Sequence, residues 1–490
     1  MTLRADTLAT WRGSPVATPD YDRSGLREGI VHIGVGGFHR AHQAVIIDRL
    51  LRQGLARDWA ICGVGLLPGD TAMRDALVPQ DGLYTVAERS AAGEQLTIVG
   101  SLTSYLLAAD DVAAVVARLA APATHIVSLT ITESGYLRDE RTGSLDVDHP
   151  DVAADLRAVG PPRSTYGLLT AALAERRRAG LPPFSVVSCD NVQQNGHLVR
   201  DMLLAFARRR DPGLADWIGA RGAFPSSMVD RITPRTTDAD RARLAASAGI
   251  VDAWPVITEP YLQWVIEDRF ADGRPPWEVA GVQVVEDVEP YERMKLRLLN
   301  AGHSAMGYLG ALAGFETIHE VIADPDFARY IRALMAEEVV PLLPPVPGID
   351  LGRYCETLIE RFGNPTIADQ VARICMDGSG KLPVFILPSI REQLARGGSL
   401  RRLSLCVAAW CRYLAGEDEQ GRAYQVDDPL AAELQARAHA GGADPSPLLR
   451  FARVFGDDLA SAPSFVREVE TALASLYQRG ARATLAATAG

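Results

Sequence analysis

The chain has 490 residues, 47% of them hydrophobic and 23% charged, with a formal net charge of -11. That length predicts two or three domains with a sizeable core, and the composition is that of a globular protein. The acidic balance excludes nucleic acid as a main partner, and no apolar run of about 18 residues is present to cross a membrane.

The six cysteines lie apart and form no C-x-x-C pair, which predicts reduced thiols and a cytoplasmic location rather than a disulfide framework or a cysteine zinc site. The first 25 residues carry no apolar segment of the kind that directs secretion.

Residues 1–28 read as an irregular arm. Residues 30–35 form a β-rich run, a glycine turn follows, and 38–51 have helical spacing. This is the strand-turn-helix entry of a dinucleotide-binding unit. Gly34 permits the tight turn, and Gly36 lets the backbone approach a pyrophosphate. Gly37 and Phe38 complete the candidate cofactor loop at the helix start. His39 replaces the third glycine of G-x-G-x-x-G, so the helix is expected to pack less closely on its strand. A plain structural turn is the alternative.

A second strand, 59–64, precedes the sequence GLLPGD. Asp70 is the acid nearest the strand end that would accept the ribose hydroxyls of NAD. Its other reading is a cap for a helix starting at Thr71. No arginine stands immediately after the strand, which favours NAD over NADP.

Residues 83–87 and 95–99 predict a hairpin. Residues 125–132 form a buried strand leading into Glu133, 165–178 an amphipathic helix, and 184–189 a strand ending in Asp190-Asn191. The alternation predicts an α/β sheet, in which ligands bind at the carboxyl ends of strands. Glu133, on the cofactor side, and Asn191 occupy such ends. Asp230 and Arg231 follow a short apolar run, as a salt-bridged turn or as part of a site. Beyond about residue 289 only helical patterns remain, including 327–340, 353–362, 368–376, 385–395, 403–414 and 463–478. The expected division is an α/β Rossmann-type dinucleotide-binding domain, 1–285, and a mainly α-helical substrate and catalytic domain, 286–490. The acidic stretch at 416–428 reads as a solvated loop.

Residues 291–310, YERMKLRLLNAGHSAMGYLG, predict a helix apolar enough to be buried. On a uniform helix Glu292, Lys295, Asn300 and His303 fall within an arc of about 140°. Burying these polar groups is costly unless they meet partners or a ligand, so the helix reads as the floor of an active site. A core helix with each polar group satisfied individually is the alternative. In ARICMDGSGKLP, residues 377–380 signal a loop, and Arg373 and Lys381 on pattern alone are surface residues.

A dinucleotide unit beside a buried lysine suggests hydride transfer. Oxidising a secondary alcohol needs a base for the hydroxyl proton and donors for the developing alkoxide. Lys295 is the candidate base, which requires lowering a free pKa of about 10.4 by burial or nearby positive charge. Asn191 and Asn300 can aim amide N–H groups at the oxygen, and His303 can bind the same oxygen or a neighbouring hydroxyl. Glu292 relays a proton to solvent or forms an ion pair. Tyr291-x-x-x-Lys295 has the spacing of the short-chain dehydrogenase pair, but here it opens the helical half. His39-x-x-His42 has metal-ligand spacing without a third ligand, so no metal is expected.

The motifs GVGGFHRAH (34–42), SCDN (188–191), MVDRITP (228–234), KLRLLNAGHSAMGYLG (295–310) and ARICMDGSGKLP (372–383) resemble those of the polyol-specific long-chain dehydrogenases. The resemblance spans almost the whole chain. It implies metal-independent, NAD-dependent interconversion of a polyol and its 2-ketose, with D-mannitol and D-fructose the expected pair. It implies Lys295 as general base, Asn191 and Asn300 as the oxyanion pair, His303 as substrate-orienting residue, and Asp230, Arg373 and Lys381 as substrate contacts. It also implies that the missing third glycine is the family's own form of the loop. The segment 67–70, Leu-Pro-Gly-Asp, departs from the double-acid pattern of a strict NAD enzyme. Within the family, fructuronate or tagaturonate reduction and D-arabinitol or D-sorbitol oxidation are the alternatives. A non-catalytic NAD-binding protein is the alternative from another class. The sequence shows no obvious apolar patch, which is compatible with a monomer and does not fix the oligomeric state.

Overall fold

The structure is a computed structural model that describes residues 1–139 and 142–488. The chain forms two compact units, Met1–Glu289 and Pro290–Gly490.

The first unit is built on a parallel five-stranded sheet. Its strands are β1 (Ile30–Ile33), β2 (Ile61–Gly65), and, after the hairpin β3 (Tyr84–Ser90) and β4 (Gly93–Val99), β5 (Leu102–Leu107), β6 (Ile126–Leu129) and β7 (Ser185–Ser188). The strand order is β5-β2-β1-β6-β7, with every neighbouring pair parallel. Strands β1, β2, β6 and β7 are buried along their whole length. Their near-continuous apolar runs are what a sheet covered on both faces requires. Helices Gln43–Arg52, Val112–Ala120, Thr165–Arg178 and Asn195–Arg210 accompany this sheet. Going outward from β1, the chain fills one side and then the other, so strand order reverses between β1 and β6. That reversal opens a ligand crevice at the carboxyl ends of these two strands.

The predicted hairpin is β3 and β4, joined in parallel by β9 (Val256–Thr258); β8 (Ser227–Asp230), β10 (Gln263–Glu267) and β11 (Gln283–Val285) form a further small sheet. Strand β5 was not legible, because its middle residues are only half-buried and its sequence, LTSYLL, alternates weakly.

Three local expectations are corrected. The N-terminal arm is ordered: Ala5–Trp11 is a 3-10 helix, and Leu3 and Trp11 are buried with Leu83, Ile98, Leu244 and Ile250. Trp11 Nε1 donates to the Ala248 carbonyl at 3.1 Å. The single helix expected over 38–51 is two, Gly37–Ala41 and Gln43–Arg52. They break at His42 (φ -119, ψ -93), whose Nε2 donates to the Gln263 carbonyl at 2.8 Å. Arg231 serves a buried node rather than a turn, pairing with Glu88 and donating to the carbonyls of Ala41 and Glu259.

The second unit is helical. Its centre is Ala301–Leu312, buried over nearly its whole length. Helices Val371–Cys375, Arg401–Tyr413 and Pro463–Thr488 pack around it, the last kinked at Gly480 (φ 80, ψ 174). Close approach depends on Gly307: a Cβ there would lie 2.8 Å from Ile374 Cγ2 and 3.3 Å from Cys375 Sγ.

The loop expected at 377–380 is instead the start of helix Gly378–Phe385, followed by Leu387–Arg396. Gly, Ser and Gly are poor helix residues. The Asp428 carboxylate compensates by accepting from Ser379 N at 2.8 Å and Ser379 Oγ at 2.7 Å. The acidic stretch expected to be a solvated loop therefore contributes a cap from 49 residues away. Among the described residues no helix is long and apolar enough to cross a membrane, and no group of three or more His, Cys, Asp or Glu is placed to hold a metal ion.

Candidate active site

The first unit carries its candidate residues at the carboxyl ends of the parallel strands, except Asp230, which ends β8 of the further small sheet. Gly34 ends β1 with φ +93, and a Cβ there would lie 2.0 Å from the Thr130 carbonyl oxygen after β6. Only glycine fits where the β1 and β6 ends abut. Gly36 differs. Its backbone is extended (φ -107, ψ -172), and a methyl added there would have Gly34 O as its nearest atom, at 3.9 Å. The protein itself leaves this space open, which fits a cradle for a pyrophosphate. Gly37 and Phe38 begin the short helix that follows.

The position of the missing third glycine is filled by stacking. The His39 ring lies on His32, centroids 3.4 Å apart at 11°, and both residues are buried. His32 Nδ1 meets Ser128 Oγ at 2.8 Å, and Nε2 meets Thr130 Oγ1 at 2.9 Å, tying β1 to β6. Burial pushes the His32 pKa down to about 3 and holds His39 well below the ordinary imidazole value, so both rings are neutral. Looser packing was expected here; a flat neutral ring pair supplies contact instead.

Asp70 lies in the turn after β2. It does not cap the helix Thr71–Leu77 through its side chain; Oδ2 accepts from Leu66 N at 2.8 Å and Leu67 N at 2.9 Å. The carboxylate is thus fixed at the end of β2. Arg74, one turn on, is engaged by Asp75 and Asp110. Glu133 is exposed after β6, and Asn191 is exposed after β7. Asp230 is buried at the end of β8.

Between β6 and β7 lies a cluster that sequence reasoning did not assign. Asp190 accepts from Ile131 N (3.1 Å), Thr132 N (3.0 Å) and the Tyr136 hydroxyl (2.9 Å). Burial raises its carboxyl pKa to about 6. Its position one residue before Asn191 at a strand end was the available signal.

In the second unit, the stretch carrying Lys295 is not one regular helix. Glu289–Lys295 is α-helical, Leu296–Asn300 is a π-helical turn, and Ala301–Leu312 is α-helical again. A π turn holds one residue more than an α turn, so positions beyond it lag by about 100°. Glu292, Lys295, Asn300 and His303 then share an arc of about 80°, narrower than the 140° of a uniform helix. Glu292 and Lys295 are buried, as is His303, whose ring packs against Phe362 at 4.6 Å. The Tyr291 hydroxyl donates to the Pro347 carbonyl at 2.7 Å, a structural anchor. Arg373 is gripped by Asp369 through two bonds of 2.7 and 2.6 Å, and Lys381 Nζ donates to the Ile374 carbonyl at 3.0 Å.

A doubly wound sheet with an open glycine cradle at its switch point defines a dinucleotide-binding protein, and the lysine helix gives it the makings of an oxidoreductase. Residues 28–279 match the family described as mannitol dehydrogenase Rossmann domain, and 287–477 match mannitol dehydrogenase C-terminal domain. The chain belongs to the mannitol dehydrogenase family. It is 57% identical to a mannitol 2-dehydrogenase of Phaeosphaeria nodorum, over 96% of this chain and 83% of that one. It is 55% identical to a mannitol 2-dehydrogenase of Aspergillus terreus, over 96% of this chain and 95% of that one. The solved Pseudomonas fluorescens mannitol 2-dehydrogenase, a ternary complex with NAD and D-mannitol, superposes with a TM-score of 0.94 at 45% identity, covering 100% of this chain and 99% of that one. A substrate-free D-sorbitol dehydrogenase follows the same fold, with a TM-score of 0.89 at 36% identity over 99% and 100% of the two chains.

Proposed function

We propose that this protein is an NAD-dependent polyol dehydrogenase that interconverts D-mannitol and D-fructose without a metal ion. The observation that carries this reading is the likeness to mannitol 2-dehydrogenases over nearly the whole chain. The α/β half, 1–285, holds the cofactor and the helical half, 286–490, supplies the substrate and catalytic residues. Gly34, Gly36, Gly37 and Phe38 form the cofactor cradle, Asp70 meets the adenosine ribose and Glu133 lies on the cofactor side.

NAD, when bound, supplies the hydride acceptor for C2. Lys295, buried in its helix, takes the C2 hydroxyl proton. Asn191 and Asn300 donate to the oxygen as negative charge develops there. His303 orients the substrate, and Glu292 passes the proton towards solvent. Asp230, Arg373 and Lys381 contact the remaining hydroxyls. The protein works in the cytoplasm.

A hexuronate substrate would need a cation for its carboxylate. Arg373 already has a carboxylate partner, because Asp369 pairs with the Nε and Nη2 edge of its guanidinium. This supports an uncharged ketose. The likeness to D-sorbitol dehydrogenase keeps D-sorbitol as the second substrate to try. The test is NADH oxidation with D-fructose and D-fructuronate side by side after chelator treatment, with D-sorbitol oxidation in parallel. Activity on D-fructose that survives the chelator is expected. Turnover of D-fructuronate alone would reassign the substrate, and NADH binding without turnover of any of these would refute the catalytic reading.

A further inference from the structure

Thr132 adopts φ +60, ψ 170. That region belongs to glycine; for a β-branched residue it is a steric outlier that persists only where the surroundings over-determine it. Thr132 sits beside the topological switch point, in the turn that follows β6.

The surroundings are concentrated on one side chain. Asp190 Oδ1 accepts from Thr132 N at 3.0 Å, and Oδ2 accepts from Ile131 N at 3.1 Å and from the Tyr136 hydroxyl at 2.9 Å. Tyr136 is itself anchored to Ser188 Oγ at 2.5 Å, two residues before Asp190. The turn closes on itself through Gly135 N to Thr132 O at 3.1 Å, and Thr132 Oγ1 meets Ser134 Oγ at 3.1 Å. The Asp190 carbonyl, which leads into Asn191, accepts from Asn195 Nδ2 at 3.1 Å, so the backbone entering Asn191 is held as well.

We propose that Asp190 is a positioning residue for the redox step: its carboxylate holds Thr132 in the glycine-only conformation and, through the same bonds, sets the backbone that carries Asn191. The inference rests on the assignment of Asn191 to the oxyanion pair. One carboxylate can clamp two successive N–H groups because each of its oxygens accepts. An asparagine cannot, since its NH2 would face an N–H donor. The groups around the carboxylate are the Tyr136 and Tyr166 phenols, the Cys189 thiol and the like-charged Glu133. Desolvation lifts its pKa to about 6, while the two N–H bonds and the Tyr136 bond work against that rise. Protonation near pH 6 therefore weakens the clamp and frees Thr132 to relax.

The experiment is D-fructose reduction by NADH from about pH 5 to 9 for the wild type, Asp190→Asn and Asp190→Asn/Thr132→Gly. Reduction is the informative direction, since acid pH favours the protonated lysine that this direction needs. Asp190→Asn should lower kcat by about 10- to 100-fold, as for a misplaced catalytic group, with KM for NADH within about threefold. The wild type should lose kcat below about pH 6, and in Asp190→Asn that further fall should disappear. Thr132→Gly makes the strained conformation cost-free and should recover at least about threefold of the lost kcat. Wild-type kcat in Asp190→Asn, a loss confined to KM, or no recovery with Thr132→Gly would each overturn the inference. Where Asp190→Asn does not fold, Tyr136→Phe decides: losing its bond should move the acid limb to higher pH, and an unmoved limb overturns the inference. A wild type inactive on D-fructose would instead refute the substrate reading.

Discussion

Gly36→Ala separates the cofactor cradle from the turn that builds it. At Gly34 a methyl would stand 2.0 Å from a backbone oxygen and the backbone is at φ +93, so Ala is doubly penalised. Gly34→Ala should cost about 2–4 kcal/mol, from strain and overpacking. For a unit of this size, with an unfolding entropy of about 2.1 cal/mol/K per residue, that lowers Tm by about 3 to 7 °C. At Gly36 the conformation suits any residue and the nearest atom to the new methyl is 3.9 Å away. Gly36→Ala should therefore change stability by less than about 1 kcal/mol, in either direction. The methyl would occupy the space that the bound pyrophosphate needs. Its displacement should weaken NADH binding at least about tenfold, which is about 1.4 kcal/mol. Thermal melts and a tryptophan-quench titration with NADH measure the two effects separately. Gly36→Ala binding NADH like the wild type would refute the cradle, and a large fall in its Tm would show that Gly36 is required by the fold rather than by the cofactor.

Lys295→Ala should cut turnover at least ~10²-fold, as for loss of a general base, with NADH binding intact by fluorescence; near-normal turnover would refute the assignment. Asp369→Asn unties Arg373 and should raise kcat/KM for D-fructuronate relative to D-fructose by about tenfold at low salt, an advantage that added salt diminishes. An unchanged ratio would show that Arg373 does not face the substrate. The folded pKa values of His32 (about 3), His42 (about 4) and His39 are all depressed by burial. Their stabilising effect is complete above the unfolded value of about 6.5 and is lost as pH falls towards the folded values, each contributing about 1.4 kcal/mol per pH unit. His39→Phe keeps a stacked ring without the titration, so its unfolding free energy should fall less steeply between about pH 6 and 4.5 in denaturant titrations.

Much of the architecture was legible because it is written in local patterns. Short runs such as Ile30–Ile33 and Ile126–Leu129, apolar but for His32 and Ser128 and followed by glycine or turn residues, read as strands covered on both faces. Glycine spacing located the turn after β1, and the clustering of Lys295, Asn300 and His303 singled out one helix. What escaped depends on partners distant in sequence. The Gly-Ser-Gly stretch reads as a loop until the Asp428 carboxylate closes it into a helix. Arg373 is different: its partner Asp369 lies only four residues back, a pairing that reading Arg373 as a surface cation passed over.

The sequence by itself determined the two-part plan, the strand ends that carry Glu133 and Asn191, and the helix that carries Lys295, because hydrophobic period and glycine placement act within a few residues. Tertiary structure alone decided the narrowing of the lysine face by a π turn, the stacking of His39 on His32, and the grip of Asp190 on Thr132. Each of these spends local conformational energy or buries a polar group, and what offsets that cost is a contact supplied by packing.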